Sequence, residues 1–495
     1  MNITRKKGIV GQIGSYSSSW FFSELITFLA SILTRRFLGP LQMGLWSVLQ
    51  VVLNYSKFTT FGVGQAALRE IPFYRGQGQT DKVEEIKNTV FSFGLLTAVI
   101  VSLGLILYAF IGRNHLRPEV FTGVLFLAAL VILNRVNNIL IVFLRATKQF
   151  SLAGRQLMLS SLVNAVFVAV LAYRYKIYGF MLAMALSLIF NIVYVIWHDP
   201  ARLRPHLNVR LIRPLIAYGA PLMILTFLGT LFITIDKIMI ARFIGLKELG
   251  WYSIAMMASN VITNFSDSIG IVMMPNLTER YGQTGNIQAL KGFISKAAQA
   301  FSGGMPLVIA CAWFGVPYLV KIVLPDFVEG ITALKCLLLG TFFLALTHPY
   351  YQFLTAVKKH MKMFPVMAGS CALAALFDFV AVKQHLGILG ISVATISAIF
   401  LRFSGIYFIA SRYLDSSRQM WRSYLGFILK FIFMICALMG LQKIILWPLP
   451  DFLIVGLQIS LFAFIYSPML YRLNKEYEVW SMLRQKFFIR QAPSS

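Results

Sequence analysis

FLGPLQMGLWS at residues 37–47 and FIGLKELGWYS at residues 243–253 share a pattern. Each opens on phenylalanine, with glycine at the third and eighth positions, an aromatic residue at the tenth and serine at the eleventh. The two stretches lie 206 residues apart, and the same offset aligns Arg36 with Arg242, and Gly76 and Gln77 with Gly282 and Gln283. Further on, Phe143, Leu144 and Lys148 match Phe353, Leu354 and Lys358, and Gly179 and Ala183 match Gly390 and Ala394. The chain therefore reads as an internal duplication.

The duplication is of apolar segments. A membrane-crossing helix needs about 20 mostly apolar residues to pass about 30 Å of hydrocarbon. Fourteen stretches qualify: 14–34, 41–66, 88–112, 120–144, 151–172, 177–197, 214–241, 249–275, 294–320, 330–356, 363–382, 387–411, 422–442 and 451–471. They lack the period-two alternation of strands, and only a closed barrel spans a membrane as β structure. The first six stretches and the next six are the copies. Six is even, so both copies enter the membrane the same way round, as parallel repeats with a site expected between them near the midplane. The reading divides the 495 residues into an N-lobe at 1–211, a C-lobe at 212–412, and a remainder at 413–495 holding two extra helices and a basic tail.

Composition supports this. Residues are 58% hydrophobic and 13% charged, with a mean hydropathy of +0.74. Average soluble domains carry about 25% charged residues. A soluble enzyme, a disordered chain and a fibrous protein are excluded. The formal charge of +27 reflects topology rather than nucleic-acid binding, because basic residues collect in cytoplasmic loops. With the N-terminus inside, 28 Lys and Arg fall in inner segments and 12 in outer ones, which places both termini in the cytoplasm. The basic, Ser/Gly-rich start does not read as a cleaved signal peptide. Cys311, Cys336, Cys371 and Cys436 sit in apolar runs and read as packing residues. No metal-ligand spacing, cofactor motif or nucleotide phosphate loop is found, and no loop has room for a catalytic domain.

Two stretches, LTRRFLGPLQMGLWS at 33–47 and YGAP at 218–221 followed by Ile235, Asp236, Lys237 and the 243–253 motif, resemble the polysaccharide flippase family. These are the Wzx-type O-antigen and exopolysaccharide exporters of the multidrug/oligosaccharidyl-lipid/polysaccharide superfamily. The resemblance covers roughly residues 1–410. It implies an all-α, V-shaped, two-lobe transporter in a bacterial cytoplasmic membrane. Its implied cargo is an undecaprenyl-diphosphate-linked oligosaccharide, moved from the inner to the outer leaflet. Its implied partners are that substrate, membrane lipids, H⁺ or Na⁺ as coupling ion, and polysaccharide polymerase and chain-length proteins.

Charges inside the apolar stretches mark candidate site residues, since an ionisable side chain avoids lipid and faces a bundle interior or a wet cavity. In the N-lobe these are Glu24, Lys57 and Arg135, at similar depths; Glu24 and Lys57 read either as pocket residues or as a pair tying the first two spans together. Arg135 has no obvious acidic partner left, which makes it the stronger cavity candidate. In the C-lobe, Arg402, Asp267, Asp236 and Lys237 are the candidates, with Asp378 as a pairing neighbour. A lipid diphosphate is best held by Arg or Lys. Lys430 is expected to snorkel to the headgroups. Gly219 to Pro221, Gly303 to Pro306 and His348-Pro349 are expected kinks. The segment 69–87 reads as an amphipathic surface helix.

The leading reading is thus a flippase and not an enzyme. A peptidoglycan-precursor (lipid II) flippase and a cation-coupled multidrug exporter are alternatives within the superfamily. A membrane-embedded glycan polymerase or ligase is disfavoured by short outer loops and by six scattered histidines.

Overall fold

The computed structural model describes residues 3–199, 205–443 and 450–477. Side chains at 3–18, 21, 265, 267–272, 275, 276, 473, 474, 476 and 477 are outside that description. The side chains of Asp267, Arg5, Lys6 and Lys7, and most of the basic tail, therefore lie outside that description. Among those described, the chain is helical throughout.

In order, the helices are α1 Ile3–Ser56, α2 Val63–Gly76, α3 Thr80–Ile111, α4 Pro118–Ala146, α5 Phe150–Phe167, α6 Tyr173–His198, α7 Val209–Phe232 and α8 Ile235–Met239. They continue with α9 Leu246–Thr284, α10 Lys291–Val323, α11 Ile331–Ala356, α12 Phe364–Lys383, α13 Gly387–Leu414, α14 Ser417–Lys443 and α15 Asp451–Tyr477. Eleven helices among the described residues are long and apolar enough to cross a membrane. Two of them, Phe22–Thr60 and Phe150–His198, each carry two of the expected stretches. Single non-helical residues separate the halves: Gly39 (φ 69°, ψ 174°) in α1 and Lys176 (φ 53°, ψ −130°) in α6.

Beyond its first turns, α3 is built inside out relative to a helix of a soluble protein. On α3 the buried face is Thr89, Gly94, Thr97, Ala98 and Ser102, while Leu96, Ile100, Leu103, Leu107 and Ile111 are exposed. Small residues let helix backbones approach, and large apolar ones suit hydrocarbon.

At the prolines expected to bend their helices, no helix is interrupted. α7, α10 and α11 keep helical dihedrals through Pro221, Pro306 and Pro349. Neighbouring helices re-satisfy the backbone groups that a proline frees. The breaks fall instead at residues with left-handed backbone, and these follow the duplication. Gly39 and Gly245, Lys148 and Lys358, and Lys176 and Gly387 all have positive φ, at offsets of 206, 210 and 211.

The chain forms two compact units, Met1–Gly250 and Trp251–Ser495. In the first, Val63, Ala66, Ala67 and Ile71 of α2 pack with Val83, Ile86 and Val90 of α3, Ile139 and Phe143 of α4, and Leu215 of α7. The segment 69–87 is thus two helices, meeting at Gly78 (φ 75°), with Val83 and Ile86 committed to this core. Close backbone approach also ties the motif copies together within this unit. A Cβ on Gly44 would sit 1.7 Å from the Leu246 carbonyl oxygen, and one on Gly250 would sit 1.8 Å from that of Pro40. Pro40 and Leu246 are themselves 206 apart, so the contact is reciprocal.

In the second unit α13 packs on α11 and α12, and α10 on α11 and α15. Phe343, Phe403, Tyr407, Tyr424 and Phe427 form an aromatic column that joins α14 to α11 and α13. Lys430 does not snorkel. Its ammonium donates to Gln299 Oε1 and to Ser302 Oγ (2.8 Å) on α10. An ammonium that finds such acceptors within the protein has no need to reach the headgroups.

Candidate functional site

The candidate site lies wholly within the first unit, at a break between α1 and α2. The second expected stretch, 41–66, does not run through as one helix. α1 ends at Ser56, a tight turn covers Lys57–Thr60, and Phe61 (φ 49°) and Gly62 (φ 83°) adopt left-handed backbone before α2 begins. Gly62 is required twice over. Its φ suits glycine, and a Cβ there would lie 2.2 Å from the Gly219 carbonyl carbon in α7.

The 3₁₀ turn gives the last carbonyls of α1 i→i+3 backbone partners and leaves each a second lone pair open to further donors. Arg135 of α4 supplies them. Its Nη2 donates to the Ser56 carbonyl and to Thr59 Oγ1 (2.9 Å), and its Nη1 to the Lys57 carbonyl (3.3 Å). Thr59 and Thr60 add hydroxyl donations to the same two carbonyls, at 2.9 and 3.1 Å. The guanidinium is buried, with 7% relative exposure. A Cβ on Gly94 of α3 would lie 2.6 Å from Ile139 Cδ1 and in ordinary contact, at 3.7 Å, with Arg135 Cδ.

These elements enclose a cavity of about 140 Å³. One wall is the break itself, with Ser56, Lys57, Thr60, Val63 and Gly64; opposite lie Asn134, Arg135 and Asn138 of α4. Asn138 Nδ2 donates to Asn134 Oδ1 (2.6 Å), and Lys57 Nζ to Asn54 Oδ1 (3.1 Å). The acceptors around Lys57 and Arg135 are neutral, so the two cations are held without a carboxylate among these contacts. Next to the break, the rings of Tyr55, Phe58 and Phe227 form an edge-on cluster, and Tyr55 Oη meets Thr234 Oγ1 at 2.8 Å. Such a cavity can hold an anion by charge and hydroxyls by amide hydrogen bonds.

Of the residues singled out from the sequence, Lys57 and Arg135 meet at this cavity. Glu24 is half-buried on α1 and is not among the lining residues. Asp236 is buried at the start of α8, where its Oδ1 accepts the Lys237 backbone N–H (2.8 Å). A carboxylate suits a helix N-terminus. Lys237 and Arg402 are half-buried, on α8 and α13 respectively. Sequence reasoning missed Asn134, Asn138 and the break. The signal was present in Gly62 and Gly64, two glycines inside an apolar run directly after Lys57 and a pair of threonines.

Comparison with known proteins fits this architecture. An uncharacterised membrane protein of Methanocaldococcus jannaschii is 22% identical over 425 residues, covering 80% of this chain and 82% of the relative. Among solved structures, the lipid II flippase MurJ in an inward closed conformation superposes with a TM-score of 0.69 at 14% identity, covering 92% of this chain and 98% of that one. An inward-facing multidrug resistance MATE transporter of the MOP superfamily gives 0.63 at 14% identity, covering 82% and 98%. The chain thus has the fold of these transporters and is a multi-pass membrane protein. Residues 9–280 match the family model described as polysaccharide biosynthesis protein, and with more than half its length so matched the chain belongs to that family.

Proposed function

We propose that the protein is a flippase that carries undecaprenyl-diphosphate-linked oligosaccharide repeat units from the inner to the outer leaflet of the cytoplasmic membrane. The carrying observation is the cavity that pairs Lys57 and Arg135 with Asn134 and Asn138 inside a bundle of this family. A lipid diphosphate brings about two negative charges, which Arg and Lys hold best. Its sugars bring hydroxyls whose burial in hydrocarbon is costly without partners, and the isoprenoid tail stays in lipid. The basic-residue bias supports cytoplasmic termini. Polymerase and chain-length proteins on the outer side would receive the product, and H⁺ or Na⁺ is the candidate driving ion.

The test is translocation in proteoliposomes loaded with fluorescent undecaprenyl-diphosphate oligosaccharide, read by access of the headgroup to an external quencher. Lys57→Ala is expected to slow translocation tenfold or more while insertion is unchanged. A wild-type protein that leaves the headgroup on one side under every ion gradient overturns the proposal. The same vesicles carrying lipid II separate the peptidoglycan-precursor reading, and dye efflux separates the drug exporter.

A further inference from the structure

Arg135 faces two demands at once. It is the charged donor, beside the Thr59 and Thr60 hydroxyls, to the carbonyls of Ser56 and Lys57 at the end of α1, and it lines the cavity beside Lys57. A guanidinium has five N–H donors. Its contacts with Ser56, Lys57 and Thr59 use three of them, which leaves two for a ligand. Hydrogen bonds to an anionic oxygen are roughly twice as strong as those to a neutral carbonyl. An anion in this cavity therefore engages the two remaining donors first and, as the stronger acceptor, draws the guanidinium away from the helix end.

The helix end is not an isolated feature. Phe61 and Gly62 follow it, and the Gly62 backbone lies against Gly219 of α7 so closely that neither residue can carry a Cβ. Whatever shifts the turn at Lys57–Thr60 shifts this contact between the break and α7.

The second copy of the repeat supplies a control. The offset of 210 that aligns Phe143 with Phe353 places Ala345 opposite Arg135. The offset of 206 places residues 263–268 opposite 57–62, and there α9 continues as helix. The break and the arginine that caps it occur together in one copy and are both missing from the other.

We infer that Arg135 is a positioning residue that couples anion binding in the cavity to the shape of the α1–α2 break. Without ligand its guanidinium caps the carbonyls of Ser56 and Lys57. A diphosphate drawn in by Lys57 takes up the guanidinium, leaves those carbonyls to the Thr59 and Thr60 hydroxyls and the N–H groups of the turn, and lets the break move against α7. The inference rests on the lipid-diphosphate reading above, whose failure is separately visible.

The experiment uses full-length protein in nanodiscs, with the four native cysteines replaced and spin labels at Leu68→Cys on α2 and Ala217→Cys on α7, both exposed positions. The probes are inorganic diphosphate, and undecaprenyl diphosphate in the disc, which separate recognition of the phosphates from recognition of the lipid. Binding and inter-label distance are measured on the same samples. Either probe is expected to shift the distance in wild type. Arg135→Ala is expected to show the shifted distance without ligand, and methylguanidinium is expected to return it to the wild-type value. Arg135→Gln keeps amide donors but no charge. It is expected to start at the wild-type distance, to bind diphosphate roughly tenfold or more weakly, and to show no shift when bound. It carries the test if Arg135→Ala does not fold. No binding by wild type overturns the lipid-diphosphate reading and the inference with it. Binding without a shift, an unshifted Arg135→Ala, or a wild-type shift in Arg135→Gln overturns the inference alone.

Discussion

Residues 57–62 and their counterparts at 263–268 occupy the same place in two copies of one repeat, and the backbone treats them in opposite ways. In the first copy KFTTFG interrupts the helix with two left-handed residues; in the second TNFSDS lies within the helix α9, Leu246–Thr284. Gly62, the residue able to adopt φ 83° without strain, is matched by Ser268. Arg135, the cation that holds the exposed helix end, is matched by Ala345. The two motif-related stretches thus differ in polar chemistry, which sits where one of them has a break and a charged donor to it. Arg135 adds a charged donor to carbonyls that the Thr59 and Thr60 hydroxyls also reach, and those carbonyls give the buried guanidinium the acceptors it would otherwise lack. Each feature supports the other.

The comparison is broken most severely at Gly62. Gly62→Ala forces a Cβ into the Gly219 backbone and imposes left-handed φ on a residue that resists it. A loss of about 3 kcal/mol or more is expected, enough to abolish monodisperse protein in detergent. Gly64→Ala, two residues on, is the matched control. It lies within α2, and no heavy atom stands within 4 Å of the place an alanine methyl would take. It is expected to raise stability by about 0.5–1 kcal/mol, because alanine is the better helix former. Thermal unfolding of the two variants side by side is the measurement. Equal melting temperatures would mean that the break is not a rigid part of the fold.

How much of this was legible follows from what each signal encodes. Hydropathy placed the helices, because burying about 20 apolar residues against lipid dominates every local preference. The glycine pattern at 37–47 and 243–253 announced the repeat, because each glycine there meets a physical demand. Gly39 and Gly245 have positive φ, while Gly44 and Gly250 meet backbone too close for a side chain. The break was hidden because Phe58 and Phe61 keep the run apolar across it. The partner of Arg135 was hidden for a different reason. A search for ion pairs looks for acids, whereas this guanidinium is held by backbone carbonyls that every residue carries. Lys430 was misread on the same logic, since Gln299 and Ser302 are neutral.

Those two basic residues sharpen the comparison at intermediate scale. Both are held by neutral acceptors, but only Arg135 holds a break beside a cavity. Arg135→Ala leaves two carbonyls short of a charged donor, at a cost of about 2–4 kcal/mol, and is expected to abolish translocation. Lys430→Met removes the tie between α14 and α10 at a cost of about 1–2 kcal/mol. It is expected to lower the melting temperature by a few degrees and to leave translocation within about twofold of wild type. A Lys430→Met protein that inserts normally but does not translocate would place transport chemistry in the second unit and undo the asymmetry argued here.

The smallest effect is expected where the copies agree in left-handed φ and differ in side chain. Lys176 and Gly387 stand at the same position in the two repeats, with φ of 53° and 60°. Lysine at φ 53°, ψ −130° is strained by about 1–3 kcal/mol, whereas glycine is at ease there. Glycine also gives the unfolded chain more freedom, which offsets part of the relief. Lys176→Gly should therefore stabilise the protein by about 1 kcal/mol, and Gly387→Lys should destabilise it by at least as much. The signs are opposite although the positions are equivalent, because the fold fixes the backbone and each copy has its own residue to fit to it. Should both substitutions destabilise, Lys176 makes interactions that outweigh its backbone strain, and the two positions are equivalent in geometry but not in energy.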